Sequence, residues 1–271
     1  MPPAVVELTL NESEGSTGSR AGSVPAGVVA IGARRTKGRP VLAGSGFVVH
    51  SDENQTIICS CTHILLDVIA ASAAEEGMLN PMNHGVAIGS GDPVTWGLTA
   101  RVEHFSPPPR HPLAPPHQPP LHHPQLDLCI LVINEAGPAV TLAAMPLGDS
   151  EEVRAGDDLV LLGYGQPGVR SSLIGTAGAS EQVSATVTRG VCAGIVEDEE
   201  SGDWFKTDAL MLPGHSGGAV LSPSGLVIGW GVSSALDKVV GGGGSYACGL
   251  SVVRPVNYLL PALGAGTSRP T

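Results

Sequence analysis

A chain of 271 residues is long enough for one large β domain or two small ones, and 37 glycines and 23 prolines against three each of Phe, Trp and Tyr describe a turn-rich globular protein. The formal net charge of -11, with no long Lys/Arg stripe, argues against a nucleic-acid partner, which would select a basic patch. No apolar run approaches the roughly 18 residues that span a bilayer.

In chain order, residues 1–25 are small and polar and are expected to form a flexible N-terminal segment. They hold no basic-then-apolar order of the kind that marks a secretory signal. Short runs rich in Val and Ile and bounded by Gly, Pro, Asp or Asn then predict strands in "GVVAIGA", "GSGFVVH" and "TIICSC". A helix is predicted from His63 in "HILLDVIAASAAEE". Residues 104–124 break the rhythm, since they hold nine prolines and five of the nine histidines and cannot sustain a sheet ladder. This reads as an exposed insertion. Its histidines lack zinc-type spacing, so no metal is expected, while "PLAPPHQPP" offers a possible partner contact through a polyproline conformation.

Strands resume in "LDLCILVI", "DDLVLLGYG", "SATVTRGVCAGIV", "GAVLS" and "GLVIGWGVS". "GYGQPG" matches G-x-G-x-x-G, but no βαβ pattern surrounds it and an interstrand loop is the better reading. "GGGGS" at 241–245 predicts a loop tip, "VRPVNYLLPAL" a short C-terminal helix, and 264–271 a flexible tail. Many short strands with few helices point to barrels or sandwiches. The five cysteines, Cys59, Cys61, Cys129, Cys192 and Cys248, form an odd set at irregular spacing, and three sit inside apolar runs. They are expected to be reduced, which favours an intracellular compartment, cytoplasmic or organellar.

"LPGHSGGAV" raises the question of chemistry, because Ser216 lies where a sharp turn can aim backbone N–H groups at a developing oxyanion. The pattern G-x-S-x-G also suits an α/β-hydrolase elbow, but that fold needs a histidine after its serine and every histidine here lies at or before 215. The order His, Asp, Ser remains. His63 stands at a strand-to-helix boundary, whereas the histidines at 104, 111, 117, 122 and 123 lie in the insertion; His50 and His84 stay open. Asp127, at the mouth of an apolar strand, needs a partner to offset its burial, and Asp208 is its rival.

These blocks in this order, "GSGFVVH", "TIICSCTHIL", "LDLCILVI", "LGDSEEVRAGDDLVLLGYGQPG", "TRGVCAGIV" and "FKTDALMLPGHSGGAVLSPSGLVIGWGVS", resemble the trypsin-like serine peptidases of the HtrA/Deg branch over residues 26–258. The resemblance implies an all-β fold of two six-stranded antiparallel barrels, residues 26–145 and 146–263, with the active site in the cleft between them. It implies His63 as general base, Asp127 as its orienter, Ser216 as nucleophile, and the N–H groups of Gly214 and Ser216 as the oxyanion hole. It places Trp230, Gly231 and Val232 on the substrate-pairing strand and Leu210 and Met211 on the wall of the primary specificity pocket. No acid lines that stretch, so an apolar residue of modest size is expected before the scissile bond. No cofactor is implied.

His215 departs from the family's usual asparagine. About ten residues follow the last helical segment, so no PDZ domain is expected, and the aromatic residues of family trimers have no counterpart before Phe47. The implied function is endoproteolysis of polypeptides in quality control or processing. The alternative is a catalytically inactive protease fold that binds peptides.

Overall fold

The computed structural model describes residues 25–106, 126–134, 142–165, 183–197, 202–238 and 245–263. Six strands, β1 (Val28–Ala33), β2 (Val41–Ser51), β3 (Gln55–Ser60), β4 (Val86–Ser90), β5 (Thr95–Ser106) and β6 (Leu128–Asn134), close into an antiparallel barrel in the order β1-β2-β3-β6-β5-β4. A second closed barrel runs β10-β11-β12-β9-β8-β7, from β7 (Asp158–Gly163), β8 (Thr186–Val196), β9 (Trp204–Thr207), β10 (Ala219–Leu221), β11 (Val227–Lys238) and β12 (Ser245–Pro255). Closure leaves neither sheet an open edge. The all-β, two-barrel expectation holds.

Four strands, β4, β5, β9 and β12, are additional to the runs read from the sequence, and two boundaries differ. β5 carries on through His104 and Phe105, which pair with Ile130 and Cys129. The strand therefore continues up to the first proline of the insertion, because the ladder stops where N–H donors stop. At the other end β12 takes in Arg254 and Pro255, and the predicted helix shortens to a 3-10 segment, Val256–Leu263, that accommodates Pro261.

One apolar cluster fills the first barrel and continues without a break into the interface, where Leu162, Tyr164, Ala219 and Trp230 of the second barrel join it. A smaller cluster that includes Leu159, Phe205, Met211 and Val253 fills the second barrel's centre. Tyr164 is fully buried, and its hydroxyl donates to the carbonyls of Gly91, at 3.2 Å, and Val28, at 3.4 Å, in the first barrel. Burial beside Asp92 pushes that phenol up to about 12, so it stays a donor at any physiological pH. Among the described residues no helix is long and apolar enough to cross a membrane. Cys59, Cys61, Cys129 and Cys192 are buried free thiols, and desolvation pushes their ionisation to higher pH and leaves them inert.

Candidate active site

The longest helix among the described residues, α1 (Thr62–Ala74), begins where β3 ends. It buries Ile64, Leu65, Val68 and Ala71 on a single stripe, and each of the three larger side chains contributes on the order of 2 kcal/mol. Its N-cap, Cys61, provides no side-chain cap. The free N–H groups of the first turn go instead to the start of β6: His63 N–H donates to Asp127 Oδ1 at 2.8 Å and Thr62 N–H to the Asp127 carbonyl at 3.3 Å. Thr62 Oγ1 adds a bond of 2.7 Å to the Leu128 carbonyl. A carboxylate at a helix N-terminus also meets the positive end of the helix dipole.

The second oxygen of the same carboxylate, Asp127 Oδ2, lies 2.6 Å from His63 Nδ1. Asp127 is 1% exposed and adopts a left-handed backbone, φ 54°, a conformation that Asp tolerates better than most residues and that turns its side chain under α1. One buried acid thus caps the helix and orients the imidazole that the helix carries. The rival acid and the two open histidines lie elsewhere. Asp208 accepts from Val191 N–H at 2.7 Å, His50 pairs with Asp52 on the surface, and His84 ends a short helical turn at Pro81–His84.

Across the interface, Leu212–Pro213–Gly214–His215 forms a turn closed by His215 N–H on the Leu212 carbonyl at 2.9 Å. Gly214 has φ 98°, which an L side chain would strain, and proline followed by glycine is the residue pair a type II turn demands. Among the described residues neither Gly214 N–H nor Ser216 N–H is given to a protein acceptor. Two unused donors therefore flank His215, as an anion site requires.

Ser45 of β2, fully buried, ties this loop to the first barrel. Its N–H donates to the Ser216 carbonyl at 2.9 Å and its hydroxyl to the Gly214 carbonyl at 2.6 Å, while that hydroxyl accepts from Tyr164 N–H at 2.8 Å. Its own carbonyl accepts from Ser60 Oγ at 2.8 Å. Sequence reasoning missed Ser45. The available signal was its place between two glycines, since a side chain at Gly44 would strike Ile64 and one at Gly46 would strike Cys59 and Ile58.

Ser216 is half-buried, and its hydroxyl donates to the Val232 carbonyl at 3.0 Å. Of the three residues expected to pair with substrate, Val232 accepts the Ser216 hydroxyl and the other two have their peptide groups engaged within the protein. Trp230 is fully buried and sits in register between Ala219 and Arg254, so its peptide groups belong to the sheet. Gly231 donates to the Gly218 carbonyl at 3.0 Å and accepts from Gly217 N–H at 2.7 Å and the Cys61 thiol at 3.4 Å. A bulge between Gly231 and Ser233 then sets the strand's register beyond the serine loop. Of the two expected wall residues, Leu210 is 60% exposed, whereas Met211 is buried in the second barrel's core with its thioether against Gly231.

Ligand atoms of Cys61, His63 and Asp127 lie within 4.8 Å of one another, close enough in principle to share a metal ion. They are committed to each other and to the backbone instead: the carboxylate to His63 and the thiol to Gly231. The insertion's remaining histidines, at 111, 117, 122 and 123, and the glycines at 241–244 lie outside the described residues.

His215 is fully buried and accepts from Leu212 N–H at Nδ1, at 2.9 Å. Burial pulls its ionisation down to about 4, and the backbone of Thr186 offsets only part of this. The unfolded chain takes up a proton near pH 6.5, whereas the native imidazole resists until about 4, so stability is held in full above pH 6.5 and lost as pH falls between those values. The loss should reach about 3 kcal/mol at pH 4. Denaturant unfolding from pH 7.5 to 4 should show this slope in the wild type and lose it in His215→Asn; equal slopes would refute the assignment.

The profile of the trypsin-like peptidase domain matches residues 44–229, more than two thirds of the chain and all three of the residues in question. Among curated proteins no sequence matches significantly. Solved structures similar in fold include Deg5, with a TM-score of 0.54 at 18% identity over 87% of this chain and 86% of that one. Another is the HtrA-type protease AlgW, a serine-to-alanine variant with a decapeptide, with a TM-score of 0.53 at 18% identity over 89% of this chain and 65% of that one. With two closed barrels, a profile match of this extent and neighbours of the HtrA/Deg kind, the chain belongs to the trypsin-like peptidase domain family.

Proposed function

We propose that the chain is a serine endopeptidase that cleaves polypeptides in quality control or processing through His63, Asp127 and Ser216. The observation that carries this reading is the Asp127 carboxylate, which gives one oxygen to the backbone of His63 and the other to its Nδ1. That arrangement fixes the tautomer with its lone pair on Nε2, the form that can take a proton from a serine. In this mechanism the Ser216 hydroxyl leaves the Val232 carbonyl and gives its proton to that nitrogen. Oγ then attacks the substrate carbonyl, the N–H groups of Gly214 and Ser216 receive the oxyanion, and the imidazolium protonates the leaving amine. Water, deprotonated by the same imidazole, hydrolyses the acyl ester.

The Val232 carbonyl, once released, is a natural acceptor for a substrate N–H next to the scissile bond. No acid stands at Leu210 or Met211, which supports an apolar preference there. The neighbour that carries a decapeptide supports a peptide ligand for this cleft as well. Buried thiols at four positions suit a reducing, intracellular setting.

A second reading, a peptide-binding protein that does not cut, is favoured by the bond from Ser216 to Val232 rather than to the base. Covalent labelling by a fluorophosphonate separates the two. Peptide mapping should find a single adduct on Ser216 for the peptidase, and a folded wild type that takes no label would leave the binding reading.

A further inference from the structure

We propose that His215 is a positioning residue that holds the oxyanion turn in shape, using its neutral imidazole as an acceptor; this rests on the peptidase reading above. The turn is closed reciprocally. His215 N–H reaches the Leu212 carbonyl and Leu212 N–H reaches His215 Nδ1, both at 2.9 Å. The second bond requires a lone pair on Nδ1, so the ring's proton sits on Nε2.

The space for the ring is built into the end of β7 and the residues just after it. A side chain at Gly165 would overlap the imidazole, and one at Gly163 would meet Cδ2 at 3.1 Å. Two glycines of the "GYG" run, unexplained by any nucleotide site, are thus the floor on which this histidine lies. Ser45 holds the Gly214 carbonyl from the other barrel, so the turn that presents Gly214 N–H is gripped from both sides.

Among the described residues, the groups that face the ring are uncharged. They are the backbone of Gly163 and Gly165, the Thr186 backbone and the Leu212 N–H, and the neighbouring Tyr164 turns its hydroxyl away to Val28 and Gly91. None of these groups is an anion that would hold a proton on Nδ1, and protonation there would set a donor against the Leu212 N–H.

Loss of the acceptor should misplace one oxyanion donor, which costs ~10² to 10³ in kcat in enzymes of this chemistry. His215→Leu, which fills similar volume without an acceptor, is expected to lower kcat and fluorophosphonate labelling by ~10²-fold while KM moves less than about threefold. His215→Asn can offer Oδ1 where Nδ1 stands and should recover to within about tenfold of wild type. Wild-type kcat in a folded His215→Leu, a change confined to KM, or equal losses in both variants would overturn the proposal.

Should the leucine variant fail to fold, imidazole ¹⁵N shifts of the full chain carrying Ser216→Ala decide the matter. A neutral Nε2–H ring at pH 7 is the expected result, and an Nδ1–H or charged ring defeats the proposal. Wild type that neither labels nor turns over would refute the peptidase reading, while the tautomer measurement would still report on the turn.

Discussion

Ser216→Ala is expected to lower kcat by ~10⁴ to 10⁶ and to leave the fold and the thermal midpoint almost unchanged. The hydroxyl makes one bond, to the Val232 carbonyl, and sits only half-buried. Its removal therefore costs about 1 kcal/mol or less, because water can reach the carbonyl left behind. The structural contact of residue 216 is made by its backbone, through its carbonyl on Ser45 N–H, and alanine keeps it. Steady-state hydrolysis of an internally quenched peptide library, read beside circular dichroism, checks both halves of the expectation. Turnover within tenfold of wild type in a folded Ser216→Ala protein would sink the mechanism.

Asp127→Asn should cost ~10⁴ in kcat/KM through the tautomer of His63 rather than through the fold. Asparagine accepts the left-handed backbone that this position demands, so φ 54° is no obstacle. The site needs two acceptors, one for His63 N–H and one for Nδ1–H, and an amide has only one. If its oxygen keeps the helix cap, its NH₂ faces Nδ1 and drives the ring's proton to Nε2, the nitrogen that must be bare. Asp127→Ala removes the cap as well and should unfold about 1 kcal/mol more easily than the asparagine variant. Paired kcat/KM and denaturant curves for both variants provide the check. Near-wild-type kcat/KM for Asp127→Asn would show that another group orients the base.

Eight of the twelve described strands were legible, where β-branched runs are bounded by turn residues, as in "VVAIGA" of the first barrel and "DLVLLG" of the second; β4, β5, β9 and β12 were not. His63 stood out because an apolar strand gives way to a helical stripe at that point. Asp127 stood out because an acid opens an apolar run, but its cap on α1 did not, since that depends on a left-handed backbone that no pattern in the sequence announces. The insertion was begun too early, at its first histidine, because β5 had not been read; the strand runs to Ser106, just before the first proline. The register of β11 was not legible, because "GWGVSS" carries little periodicity and a bulge after Gly231 resets it. Ser45 was opaque for a different reason: its partners lie on two other strands and a distant loop, and small residues make weak signals.

His63 comes from the first barrel and Ser216 from the second, and Ser45 joins the two through bonds to the carbonyls of Gly214 and Ser216. A hinge that parted the barrels would have to break those bonds. Such a molecule has no way to widen its mouth and keep its teeth aligned, so gape and bite are one coordinate. Any opening of the cleft that spares those bonds therefore leaves the two barrels fixed against each other.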